Sequence, residues 1–232
     1  RSSDGGLLKR YRNGESGLAG LIEDYSFFIW GLIEMYELTF DPNYLETAIE
    51  LSEYQIDNFW DNDFHGFYFT PANGEELIVR TKESYDGAIP SGNSVAAYNF
   101  IRLGRILSNT KYEKISTQIT DVFSRNLNKY GSGYTMMLQA VEFMTGPSYE
   151  ILIIGDNDKS QELINQINQI NQPNKVLIYT DIKHKDDLSS IIPFIGMYPN
   201  PEGENPMVYV CKNYSCNLPT NDIDEIKRQL IK

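Results

Sequence analysis

Two cysteines in 232 residues are too few for a disulfide framework, and too few for a zinc site built on cysteine alone. Histidine is equally scarce. His65 and His184 are the only two, and neither lies in a nucleophile-elbow context that would activate a serine. Basic charge is also short. Lys plus Arg number 20 against 32 Asp plus Glu, a net charge of −12, which argues against a nucleic-acid backbone as the main partner. No run approaches the ~20 uncharged apolar residues of a membrane-spanning helix, so no membrane partner is expected. The sequence starts at Arg1 without a signal or transit pattern, and the cytoplasm is the expected location. What is present, 41% hydrophobic and 22% charged residues, suffices for a buried core.

The pattern divides the chain into residues 1–147 and 148–232. In the first part, Leu21, Ile22, Tyr25, Phe28, Ile29, Leu32, Ile33 and Tyr36 follow one helix face. Asp41-Pro42-Asn43 ends that helix and starts another, which carries Tyr44, Leu45, Ala48, Leu51, Ser52 and Gln55 toward Trp60, as in an antiparallel hairpin. Gly66–Thr70 reads as an extended aromatic segment. Asn73-Gly74 marks a turn, and Leu77-Ile78-Val79 is expected to return as a second short strand. After a polar loop from Arg80 to Asn93, Ser91 or Asn93 can cap a helix running to Leu107. Two more, near 111–127 and 134–144, make five helices.

From Ser148 the grammar becomes β–α–β. Strands are expected at 150–155, 175–179 and 207–211, with helices at 159–170 and 223–230, giving a small parallel sheet of three strands. Ile154-Gly155-Asp156 ends a strand before a helix, but without a Gly-rich fingerprint it reads as sheet packing.

Several stretches together resemble one family: Leu21–Tyr25, Gly66–Thr70, Leu77–Glu83, Asp86-Gly-Ala-Ile-Pro-Ser-Gly-Asn-Ser94 and Tyr209–Cys216. They are similar to the C-terminal region of the spermatogenesis-associated, thioredoxin-domain-containing proteins. The resemblance covers nearly the whole chain in order. It implies a mainly α fold: part of an (α/α)6 toroid of the six-hairpin glycosidase type, followed by the α/β tail. His65-Gly66 stands where the family usually has Gly-Gly. The family's thioredoxin-like domain is not in this sequence and five helices are fewer than twelve. The chain is therefore expected to be the closing part of a toroid or a piece of a longer polypeptide, and to self-associate or bury its uncovered helix faces on a partner.

The same resemblance points to sugar chemistry, which needs paired carboxylates and aromatic platforms. Glu83, Asp86 and Asp24 are the candidate acids and bases. Arg80, Lys82, Tyr25, Tyr68 and Asn93 are the candidate substrate-binding residues. Each also has a plain structural role open to it. Glu23 and Asp24 suit the first turn of a helix, the 80–93 loop suits a solvated surface, and the aromatics suit a core. Four residues separate Cys211 and Cys216, unlike the two of a dithiol redox motif; reduced thiols or one disulfide is the plain reading, with a redox or metal role alongside the family's thioredoxin-like domain left open. No cofactor or metal is implied. The two functional expectations are a carbohydrate-active domain, epimerase- or glycosidase-like, and a non-catalytic module that docks a thioredoxin-like domain or another partner.

Overall fold

The computed structural model describes residues 1–75 and 77–231. A hairpin of β1 (Leu8–Arg12) and β2 (Glu15–Ala19) precedes the helices. Its turn is Asn13-Gly14, both at positive φ (54° and 84°), as a two-residue hairpin turn with the strands' own twist requires. The expected organisation above did not include it.

Five helices follow: α1 (Ile22–Thr39), α2 (Pro42–Phe59), α3 (Gly92–Leu107), α4 (Thr110–Lys129) and α5 (Thr135–Thr145). The α1–α2 turn forms as the sequence suggests. Phe40 takes the left-handed conformation, Asp41 accepts a hydrogen bond from the Asn43 N–H, and Pro42 opens α2 where it has no N–H to lose. Helix α3 is buried over nearly its whole length. It packs between α1 and α5, while α2 lies against α1 and α4 against α3.

The segment between α2 and α3 differs from expectation. Leu77-Ile78-Val79 forms no strand, and all three side chains are exposed. The aromatic segment already has a partner in the end of α2. Tyr68 N–H donates to the Phe59 carbonyl (2.8 Å), and Asp61 N–H to the Gly66 carbonyl (3.0 Å). Phe69 N–H reaches across to the later loop, at the Thr81 carbonyl.

The tail holds β3 (Tyr149–Ile154), α6 (Asn157–Asn168), β4 (Lys175–Thr180), α7 (Lys185–Ile191), β5 (Met207–Lys212), β6 (Ser215–Cys216) and α8 (Ile223–Ile231). Its sheet has four strands in the order β4-β3-β5-β6, not three. It is mixed, not parallel: β3 and β4 are parallel, but β5 runs antiparallel to β3. Met207 pairs with Ile154, at the sheet end where β4 finishes, so the 181–206 connection stays at one end and the chain runs back. Both faces of β3 are buried, which explains its unbroken apolar run. Ile151 and Ile153 pack with Leu163, Ile164 and Ile167 of α6 and Ile226 and Leu230 of α8. Leu152 and Ile154 point the other way, into the core of α1–α5. One hydrophobic core therefore runs from the helices into the tail. About half the chain is helical, with eight α-helices among the described residues, and none of these helices is long and apolar enough to cross a membrane.

A buried ion network fastens the two parts. Arg102 of α3 bridges Glu34 and Glu37 of α1, each at 2.5 Å, and Glu37 also accepts the Leu177 N–H of β4 at 2.9 Å. Burial pushes the Glu37 carboxyl up, opposed by the Arg102 charge and the Leu177 N–H.

Candidate functional site

The loop before α3 divides its charged residues between separate places. Asp86 is buried. Its Oδ1 accepts the Ser91 N–H (3.0 Å), and its Oδ2 accepts the N–H groups of Met136 (2.8 Å) and Met137 (3.2 Å) in the first turn of α5. A carboxylate there satisfies helix donors and complements the helix dipole. Ser91, not Asn93, caps α3, accepting from Ser94 N–H at 3.2 Å. Asn93 is buried and works as a clip: Oδ1 accepts Phe67 N–H, while Nδ2 donates to the carbonyls of Phe67 and Glu83.

Arg80, Lys82 and Tyr68 form a second group. Arg80 donates to the carbonyls of Thr70 and Asn58, with its guanidinium 4.2 Å from the Tyr68 ring centroid. Lys82 lies 2.6 Å from Asp61 Oδ2, to which the Tyr68 hydroxyl also donates at 2.7 Å. Asp61 further accepts the N–H groups of Asp63 and Phe64. Burial works to raise its carboxyl, but Lys82, Tyr68 and those two N–H groups outweigh that and hold it well below the usual carboxylate range. This cluster fixes the turn holding His65 and Gly66, whose φ angles are 61° and 73°. The resemblance implies Gly-Gly at these two positions, and left-handed backbone is what glycine adopts without penalty. His65 keeps its place by ring stacking on Trp60 and by pairing with Gln118 at 3.2 Å.

The third group lines a cleft. Asp24 and Glu23 of α1, Lys9 of β1, Phe27, Phe28 and Ile89 border an opening of about 690 Å³. Asp24 Oδ2 accepts the Leu21 N–H (2.8 Å), half of a capping box, and lies 4.0 Å from Lys9. Glu83 is exposed and close enough for its charge to act on Glu23. Burial first, then the charges of Glu83 and Asp24, push the Glu23 carboxyl up, with Lys9 opposing. Phe28, half exposed, presents a ring at the rim. Tyr25 faces inward instead. It is buried, accepts the Leu7 N–H at 2.7 Å, and stacks on Tyr54 at 5.3 Å.

Asp24 thus sits beside Glu23 at the cleft, the exposed Glu83 acts on Glu23 by its charge, and Asp86, Asn93, Tyr25 and the Arg80–Lys82–Tyr68 group lie elsewhere. Two carboxylates were not among the expected site residues. Glu23 had been assigned to the helix dipole, and its approach to Glu83 is a long-range fact. Asp61 lies in the run Asp61-Asn62-Asp63, which does signal a tight turn with side chain to backbone bonds. Of the two states open to the cysteines, the structure has the disulfide, Cys211 to Cys216. Among the described residues, no three His, Cys, Asp or Glu side chains gather as a metal-ligand set.

No protein-family model matches the chain. Spermatogenesis-associated protein 20 of Homo sapiens is 30% identical over 214 residues, covering 91% of this chain and 27% of that protein. The Mus musculus protein of the same name is likewise 30% identical over 214 residues. An uncharacterized Caenorhabditis elegans protein is 29% identical over 217 residues, 92% of this chain and 29% of its own length. The chain spans little more than a quarter of the length of these relatives. Over nine-tenths of its own length it is a homologue of spermatogenesis-associated protein 20.

Proposed function

We propose that this chain forms one wall of a carbohydrate-binding cleft, glycosidase- or epimerase-like, within the closing part of an (α/α)6 toroid. The observation that carries the reading is the carboxyl cluster at the start of α1. Glu23 is pushed toward its protonated form beside the carboxylates of Asp24 and Glu83, with Phe28 at the rim. Sugar chemistry uses a pair of carboxyl groups as acid and base. In this reading Glu23 delivers the proton and Glu83 takes one up. Asp86 holds the loop on α5, and Arg80 and Lys82 hold the aromatic turn. Supporting the toroid, α3 packs between α1 and α5, with α2 against α1 and α4 against α3.

A glycan array probed with the purified chain tests binding, and Glu23→Gln and Glu83→Gln test the roles. We expect one class of glycan to bind. If the chain turns it over, each variant should slow that turnover by about tenfold or more, within the usual range for removing an acid or base. Unchanged turnover of a bound sugar would refute the assigned roles, and an empty array would end the proposal.

A second reading, a docking module, rests on a separate observation. Phe28, Met35 and Leu38 stand exposed along α1 at 50%, 37% and 73%. We place self-association, or packing against further helices, on that stripe. Deleting the tail would not be a clean test, because its strands complete the helical core. Leu38→Glu is cleaner. The docking reading expects it to abolish association seen by light scattering, with carbohydrate binding intact.

A further inference from the structure

Cys211 and Cys216 face each other on neighbouring strands β5 and β6 and are joined by a disulfide. The two sulfurs are differently placed. Cys211 is buried, at 6% exposure, while Cys216 is exposed on the short strand. Beside them is a cavity of about 170 Å³, with Arg105, Glu150, Tyr198 and Tyr214 in its wall. The Tyr198 hydroxyl lies 3.1 Å from Cys216 Sγ and 3.9 Å from Cys211 Sγ, within reach of either. Arg105 is buried, its guanidinium paired at 3.0 Å with both the Glu113 and the Glu150 carboxylates and 4.7 Å from the Tyr214 ring centroid. An exposed cysteine, a small cavity beside it and a hydroxyl donor within reach of both sulfurs are the ingredients of a reactive disulfide.

We propose that Cys211–Cys216 is a thiol–disulfide exchange site, attacked at Cys216 by a small thiol or dithiol. The attacking thiolate forms a bond to Cys216 Sγ. The Cys216–Cys211 bond breaks, and its electron pair leaves on Cys211 as a thiolate. Tyr198 donates a hydrogen bond to that thiolate. A second thiolate from the reductant then attacks its own mixed-disulfide sulfur. Cys216 leaves as a thiolate and takes a proton from water. Two electrons have passed, two thiols of the reductant have become one disulfide, and Cys211 and Cys216 are both reduced. Opening frees the hairpin tip, whose Tyr214 covers Arg105 and donates its N–H toward Glu150.

The test uses the whole chain, purified without reductant. Separate samples are treated with reduced glutathione and with dithiothreitol under native conditions, quenched by alkylation and mapped by peptide mass. We expect glutathione on Cys216 with Cys211 alkylated, and both cysteines alkylated after dithiothreitol, with the near-ultraviolet circular dichroism of the helical body retained. Tyr198→Phe should slow adduct formation about tenfold, the worth of one hydrogen bond to a developing charge, with the wild-type spectrum kept. Glutathione found mainly on Cys211 would overturn the proposal. So would a disulfide that opens only in urea, or two free thiols before any treatment. An unchanged rate in the Tyr198→Phe variant would remove Tyr198 from the step.

Discussion

The Asn93 side chain pairs with Phe67 as a neighbouring strand would. Its Oδ1 accepts the Phe67 N–H at 2.8 Å, and its Nδ2 donates to the Phe67 carbonyl at 2.9 Å. The third bond, to the Glu83 carbonyl at 2.8 Å, ties the loop at the cleft to the aromatic turn. A side chain in the first turn of α3 thus does the work of the absent strand at 77–79.

Asn93→Leu leaves three backbone groups unpaired, the two of Phe67 buried and that of Glu83 partly so. At about 1–3 kcal/mol for an orphaned group, partly relieved by water, we expect a loss of about 3 kcal/mol in urea unfolding. Asn93→Asp keeps the acceptor and loses the donors, and should fall between wild type and Asn93→Leu.

Gly92 opens α3 against the start of α1. A Cβ there would meet Ile22 Cγ2 at 2.8 Å and the Glu23 backbone nitrogen at 3.2 Å. Alanine normally favours a helix over glycine by about 1 kcal/mol. Here Gly92→Ala should destabilise instead, by about 2 kcal/mol, because α1 has to move. A more stable Gly92→Ala protein would show that α1 and α3 do not touch this closely.

Asp61 gives the fold an acid-sensitive component. Its carboxyl titrates below the ordinary value of 3.8 when folded, so the unfolded chain binds the proton more readily. The contribution is present above that ordinary value and is lost as pH falls below it. Urea midpoints measured from roughly pH 5 down to pH 3 should fall less steeply for Asp61→Asn than for wild type, from a lower starting point.

Arg102 links α1 to α3 and, through Glu37, to β4. Removing one partner of a buried ion pair costs about 3–5 kcal/mol, since the other charge stays behind. We expect Arg102→Met to lose about 3 kcal/mol in urea unfolding, near the lower bound because Glu34 is largely exposed. Adding Glu37→Gln should recover part of it, and full additivity of the two losses would argue against coupling.

Local signals in the sequence located most elements. Asp41-Pro42-Asn43 marked the α1–α2 turn because capping is a matter of adjacent residues, and the apolar run at 150–154 marked β3 because both its faces are covered. Asn13-Gly14 carried an equally local signal, but the polar strands beside it lack alternation and hide the hairpin. Strand direction was not legible, since it depends on which end of the sheet the 181–206 connection occupies. The candidate site was legible only in part. Asp24 and Glu83 each act by their charge on Glu23, whereas Asp86 bonds a helix turn 50 residues away and no spacing rule anticipates that. Lys82 found Asp61, a partner that neither motif contained.

The Glu37 carboxylate has one more effect. Strand β4 is the outer strand of its sheet, and its Leu177 N–H would be open to pairing with another chain. A helix side chain occupies that donor instead. At the opposite border β6 is two residues long, and Val208 is already bridged to Thr220. Glu37 thus blunts one margin of the sheet at Leu177, and the short β6 leaves little to extend at the other.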